Sequence, residues 1–142
     1  RTTRQAFADA GVGLAAPADL LALGVYPTTA IKCAKVGYGV ATDTLRACAE
    51  RILRQELALF PNLTTLLLMG DVAIKAINHL ARRETGKAAI PSGSTYKIRG
   101  AEYHWGAWRL LPSYLQTGKS YLIEASKRAM IAEDIRTALQ RP

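Results

Sequence analysis

The run Leu63–Met69 (LTTLLLM), closed by Gly70-Asp71 and followed by a helical pattern, constrains the fold of this chain more than any other segment. Its length suits a strand, and its continuous apolarity suits a strand covered on both faces, as in parallel sheets. Parallel strands need crossovers, and the neighbouring sequence supplies helices for them. Thr42 or Asp43 caps a helix reaching about Leu59, with Leu45, Cys48, Ile52, Leu53 and Leu57 at helical spacing and Glu50 and Arg54 placed as an i,i+4 pair. Asp71 is expected to cap a second helix, Val72 to Arg82, whose narrow apolar face is Ala73, Ala76, Ile77 and Leu80.

Toward the N-terminus, Thr2–Ala10 reads as a helix stopped by Gly11, and Ala18–Leu23 as a short helix stopped by Gly24. Val25–Lys32 (VYPTTAIK) is rich in β-branched residues and reads as a strand, with Pro27 at its start or edge. Thr95–Arg99 and Glu102–Trp105 read as a hairpin about Gly100-Ala101. Trp108–Leu111 reads as a strand stopped by Pro112. A polar loop, Ser113–Ser120, leads to a final helix with a core stripe of Ile131, Ile135, Ala138 and Leu139. Strands alternating with helices give the expected fold class: α/β, a three-layer αβα sandwich around a short, mainly parallel sheet, in one domain over residues 1–142. With helix from the second residue and no initiator Met, the chain is expected to begin inside that domain, its first strand missing.

Hydrophobic residues make up 49% of the chain and charged residues 21%, a balance that excludes disorder. No apolar run approaches the roughly 20 residues of a membrane span, and Ala15–Gly24 is interrupted by Pro17 and Asp19, unlike a signal peptide. A cytoplasmic location is the expectation. Nineteen Lys and Arg against eleven Asp and Glu leave a formal charge of +8, which either favours a polyanion such as nucleic acid or serves solubility. The two cysteines, Cys33 and Cys48, are too sparse for a disulfide scaffold.

In parallel α/β folds ligands sit beyond the carboxyl ends of the strands. Lys32–Gly39, Gly70-Asp71 and Pro112–Lys119 all occupy such positions and are expected to share one crevice. Three blocks there carry a resemblance. Thr28-Thr29-Ala30-Ile31-Lys32-Cys33 with a downstream Cys48 looks like the T-N-x-x-K-C…C segment of cluster-binding uracil-DNA glycosylases. Leu67-Leu68-Met69-Gly70-Asp71-Val72-Ala73 is similar to their strand–Gly–x–x–Ala turn, and Leu111-Pro112-Ser113-Tyr114 resembles the strand end entering their His-Pro-Ser loop. In order and spacing the chain thus resembles the uracil-DNA glycosylase superfamily from about Arg1 to Ala138. The superfamily's first block, a strand ending in a Gly-x-x-Pro-type loop, has no counterpart here.

The resemblance implies DNA as partner. It also implies an enzyme that extrudes a damaged nucleotide, reads the base in a tight pocket and stabilises the departing base as the glycosidic bond breaks. The expected substrate pocket is Thr29, Lys32, Gly70, Asp71, Ser113, Tyr114, Leu115 and Gln116; the expected DNA- or phosphate-binding residues are Lys35, Thr117, Gly118, Lys119 and Ser120. The resemblance puts Leu115 at the position of the family's catalytic His and Thr29 at that of its base-reading Asn, and neither side chain reproduces the original donors. Gly118-Lys119-Ser120 is not a P-loop, since residue 113 is Ser where that motif needs Gly. It fits either a phosphate site or a capped helix entrance. No cofactor is expected; the alternative is an iron–sulfur cluster at Cys33 and Cys48, should a C-x-x-C lie upstream. Aromatics Tyr96, Tyr103, Trp105 and Trp108, near Lys97, Arg99 and Arg109, suit base stacking or ordinary cross-strand packing. Three functions fit: a DNA-repair N-glycosylase hydrolysing the base–sugar bond of a deaminated base, a non-catalytic nucleic-acid or nucleotide-binding module of the same fold, and an unrelated phosphate-binding α/β protein.

Overall fold

The apolar run forms β1 (Thr65–Met69), and the computed structural model, which describes residues 2–16, 18–31, 41–114 and 125–140, pairs it in parallel with β3 (Trp108–Ser113). β2 (Tyr103–Trp105) pairs antiparallel with β3, giving a mixed three-stranded sheet in the order β1-β3-β2. Alternation along β1 divides the core. Leu66 and Leu68, with Leu110, face one apolar cluster, while Leu67 and Met69 face another. The first cluster is roofed by α3 (Thr42–Cys48), a π-helical turn (Ala49–Leu53), α4 (Arg54–Ala58) and α5 (Asp71–Thr85). The second is covered by α1 (Thr2–Asp9), α2 (Ala18–Ala22) and α7 (Ala125–Leu139). A single turn, α6 (Thr95–Ile98), precedes β2.

Pro112 does not stop β3; the strand runs on to Ser113. Arg109 N–H donates to Thr64 O and Gly70 N–H donates to Ser113 O, so the odd-numbered residues of β3 bond toward β1. Pro112 therefore turns its missing donor to the other side, beyond Leu110, where pairing with β2 has ended.

The helix expected from Thr42 to Leu59 forms with a defect. Leu45, Ala49, Leu53 and Leu57, buried together with Cys48, recur at every fourth position. In a regular α-helix each such step overshoots one turn by about 40°. The wide π-helical turn Ala49–Leu53 takes up that drift. Ile52, expected in the core, is 45% exposed as a result. Glu50 and Arg54 do not pair with each other. Glu50 Oε1 lies 2.6 Å from His79 Nε2 and 3.2 Å from Arg83 Nη1, while Arg54 Nε donates to Glu84 at 2.6 Å, so both residues tie their helix to α5.

Further corrections have local causes. Val25–Ile31 forms no strand. Tyr26 and Thr28 donate their hydroxyls to Glu56, and the Tyr26 ring meets Phe60 at 4.7 Å, so the segment is held to α4 by side chains. Thr95–Arg99 is not the first arm of a hairpin: Ile98 N–H and Arg99 N–H bond back to Ser94 O and Thr95 O, and Ile98 enters the core. The hairpin turns instead at Gly106-Ala107, with Gly106 at φ 60. Asp71 is the first residue of α5 rather than its cap; Gly70 holds the cap position, and the exposed Asp71 carboxylate pairs with Lys75 at 2.8 Å. Asn78, within the α5 core face, is bonded through both ends of its amide: its NH2 donates to Ile90 O, and its carbonyl accepts from Ala89 N–H and Ile90 N–H.

Two measurements check this arrangement. Leu110 is fully buried, so Leu110→Ala is expected to cost about 2–5 kcal/mol in urea unfolding, against at most about 1 kcal/mol for Ile52→Ala. The hydrogen bond to His79, then the charge of Arg83, hold the Glu50 carboxyl below the ordinary glutamate range. A depressed carboxyl contributes stability above its unfolded value and loses it as pH falls through the folded one. Glu50→Gln should accordingly flatten the acid limb of the stability–pH curve, and an unchanged limb would refute this contribution.

Candidate functional site

β1 and β3 end side by side. Met69 stands opposite Ser113, and Gly70 N–H donates to Ser113 O at 2.9 Å. Gly70, at φ 102 and ψ 166, turns the chain from β1 directly into α5. The Gly70-Asp71 turn and the Ser113-Tyr114 strand end therefore meet at the carboxyl edge of the parallel pair, two of the three segments expected there. The third, with Lys32, Cys33 and Lys35, lies outside the described residues, as do Leu115, Gln116, Thr117, Gly118, Lys119 and Ser120. Thr29 is exposed, its hydroxyl donating to Ile31 O at 2.8 Å, and no described contact brings it to Gly70 or Ser113.

Helix α7 runs antiparallel to β3. Arg109, near the start of β3, donates to the Thr137, Ala138 and Gln140 carbonyls at the helix end. Ser113, at the finish of β3, is level with Asp134, to which its hydroxyl donates at 2.5 Å. From Ala125 to Asp134 is roughly 13 Å at about 1.5 Å per residue. The first turns of α7 thus stand beyond the carboxyl edge of the sheet. They carry Lys127, whose Nζ lies 5.4 Å from the centre of the half-buried Tyr114 ring, and Arg128, which is bonded to Asp9 at 3.0 and 3.1 Å. A shallow groove of about 330 Å³ between α1 and α7 is lined by Asp9, Ala125, Arg128, Ala129, Ala132 and Arg136. The edge accordingly offers a Gly turn, a helix start, one aromatic ring and fixed cations, a combination able to receive an anionic, ring-bearing ligand.

The aromatic residues of the hairpin lie elsewhere. Trp108 opens β3 at the end opposite Ser113, and it meets the buried Trp105 edge-on at 5.1 Å, with the Arg54 guanidinium 5.6 and 5.7 Å from the two rings. Arg109 is buried against Thr65, Glu102 and the end of α7. Arg99 is paired with Asp134, which holds its guanidinium above the ordinary arginine value. These groups knit the fold together and do not face the crevice. His104 is exposed, and His79 belongs to the Glu50 pair.

An iron–sulfur cluster takes four thiolates. The chain has two cysteines; Cys48 is buried at the end of α3, and Cys33 is outside the described residues. The chain's own residues therefore do not complete a cluster. Among the described residues there is no group of three or more His, Cys, Asp or Glu able to hold a metal ion, and no helix is long and apolar enough to cross a membrane.

Sequence reasoning missed Asp134 and Lys127, and named Arg99 only as a basic neighbour of the hairpin aromatics. Asp134 had a readable signal: it is an acid inside the i, i+3, i+4 stripe begun by Ile131 and Ile135. The other two become visible only when the hairpin and α7 are placed.

Fold and edge together define a mixed α/β chain with a candidate site where its two parallel strands end. Comparison with known proteins narrows the class: the chain is 32% identical, over 103 residues, to the type-5 uracil-DNA glycosylase of Thermus thermophilus. The aligned part is 71% of this chain and 46% of that protein, so the chain spans about half the length of the curated relative it matches. The chain is a distant relative of the uracil-DNA glycosylase superfamily. No protein-family model matches it, and no solved structure does.

Gly70 adopts a backbone conformation essentially confined to glycine. Gly70→Ala is expected to cost about 1–3 kcal/mol; an unchanged urea midpoint would show that the turn carries no such constraint.

Proposed function

We propose that this chain is a uracil-DNA glycosylase-like protein that acts on DNA at the carboxyl edge, as a DNA-repair N-glycosylase hydrolysing the base–sugar bond of a deaminated base. The observation that carries the reading is the meeting of the Gly70 turn with the Ser113-Tyr114 strand end beneath the cationic overhang of α7. Distant relationship to a protein named a uracil-DNA glycosylase and a net charge of +8 support it. On this reading Lys127 and Arg128 approach backbone phosphates, Tyr114 borders the extruded base, and the N-terminus of α5 offers backbone donors to developing negative charge. The sheet would belong to a three-layer αβα sandwich, with a further parallel strand against the outer edge of β1.

A second reading, a binding module of the same fold, has its own observation. Two hydroxyls assigned to the pocket are already committed within the protein: Thr29 donates to Ile31 O and Ser113 to buried Asp134. Neither offers its proton to a ligand.

Duplex and single-stranded oligonucleotides carrying uracil, hypoxanthine or xanthine separate the two. Abasic product from any of them, lost in a Gly70→Ala variant that remains folded, is the expected result. Salt-sensitive binding without abasic product would select the module, and absence of binding would sink both. Lys127→Ala should weaken binding uniformly across sequences and lower the slope of log K against log salt by about one.

A further inference from the structure

Ser113 has no exposed surface, and its hydroxyl donates to Asp134 Oδ2 at 2.5 Å. The same carboxylate receives Arg99 Nε on Oδ2 at 3.2 Å and Arg99 Nη2 on Oδ1 at 2.9 Å. Arg99 and Asp134 side chains are 12% and 8% exposed, so this is an ion pair taken largely out of water. Such pairs add little net stability over a well-packed apolar substitute, yet they fix geometry, because each partner loses heavily if it moves away. The geometry fixed here is unusual in its reach. Arg99 precedes β2, Asp134 lies in mid-α7, and Ser113 ends β3; Ser113 O then accepts the Gly70 N–H that begins the turn into α5. One carboxylate thereby governs both strand ends at the edge.

We infer that Asp134 is a positioning residue: through Ser113 it sets the carboxyl ends of β3 and β1, and with them the Gly70 turn and the Tyr114 ring. Its use for a ligand rests on the reading of the edge as a nucleic-acid site. Asp134 touches no ligand in this scheme; the Ser113 proton stays on its oxygen, shared with the carboxylate.

The β1–β3 pair carries its own internal control. Gly70 N–H bonds to Ser113 O at the carboxyl end, and Arg109 N–H bonds to Thr64 O at the amino end. In Ser113→Ala, which leaves the Arg99–Asp134 pair intact, amide exchange at Gly70 should accelerate roughly 10- to 100-fold, while that of Arg109 changes less than about threefold. Ser113→Thr, which keeps the hydroxyl, should restore slow exchange at Gly70. Equal acceleration at both amides would mean a general loss of stability and would overturn the inference, as would unchanged exchange at Gly70. Binding of a uracil-containing duplex oligonucleotide is read on the same variants. Weakening of roughly five- to twentyfold in Ser113→Ala, recovered in Ser113→Thr, supports the clamp and the site together. Selective loosening at Gly70 with unaltered binding upholds the clamp and counts against the edge as the nucleic-acid site.

Discussion

Parallel pairing of β1 with β3 is the constraint on which the rest of the molecule depends. Two strands pointing the same way cannot be joined by a tight turn, so the chain must leave the sheet and return. It leaves through Gly70 into α5, packs that helix on the Leu66–Leu68 face, and comes back through α6 and the β2 hairpin. What exits β1 and β3 in their forward direction then emerges on one edge. Register brings Gly70 beside Ser113, and the hydrogen bond from Gly70 N–H to Ser113 O holds the two strand ends together.

Arginine does much of the joining between layers. Arg109 closes the end of α7 onto β3, Arg99 grips its middle, and Arg54 spans α4, α5 and the two tryptophans. The planar, forked guanidinium suits this task, since it reaches carbonyls, a carboxylate and a ring at once. Each of these cations has a carboxylate partner, Glu102, Asp134 or Glu84. The pairs cancel internally, and the chain's excess of +8 resides on the remaining charged groups, an excess of the sign that attracts polyanions at a distance.

Much of the fold was legible because its signals were local. The run ending at Met69, the stops at Gly11 and Gly24, and the stripe containing Ile131 each declare an element through a few neighbouring residues. What escaped was decided by contacts distant in sequence. Val25–Ile31 has strand composition but pairs with no strand among the described residues, so composition alone misled. The drift of Leu45, Ala49, Leu53 and Leu57 was visible as a spacing of four, yet its resolution by a π turn depends on which face α5 covers. The edge itself was foreseen in part: Gly70 and Ser113 meet as their positions after apolar strands imply, whereas the inward commitment of the Ser113 hydroxyl depends on an acid in another helix.

Pro112 gives the sheet a direction of growth. Past Leu110 the β2 side of β3 has a ring where a donor would be, so no neighbouring backbone can zip along that flank and the hairpin cannot lengthen. On the opposite flank of the sheet, the main-chain donors and acceptors of Thr65, Leu67 and Met69 face outward, and among the described residues no strand pairs with them. A strand recruited along Thr65–Met69, from the same polypeptide or another, would border the turn at Gly70.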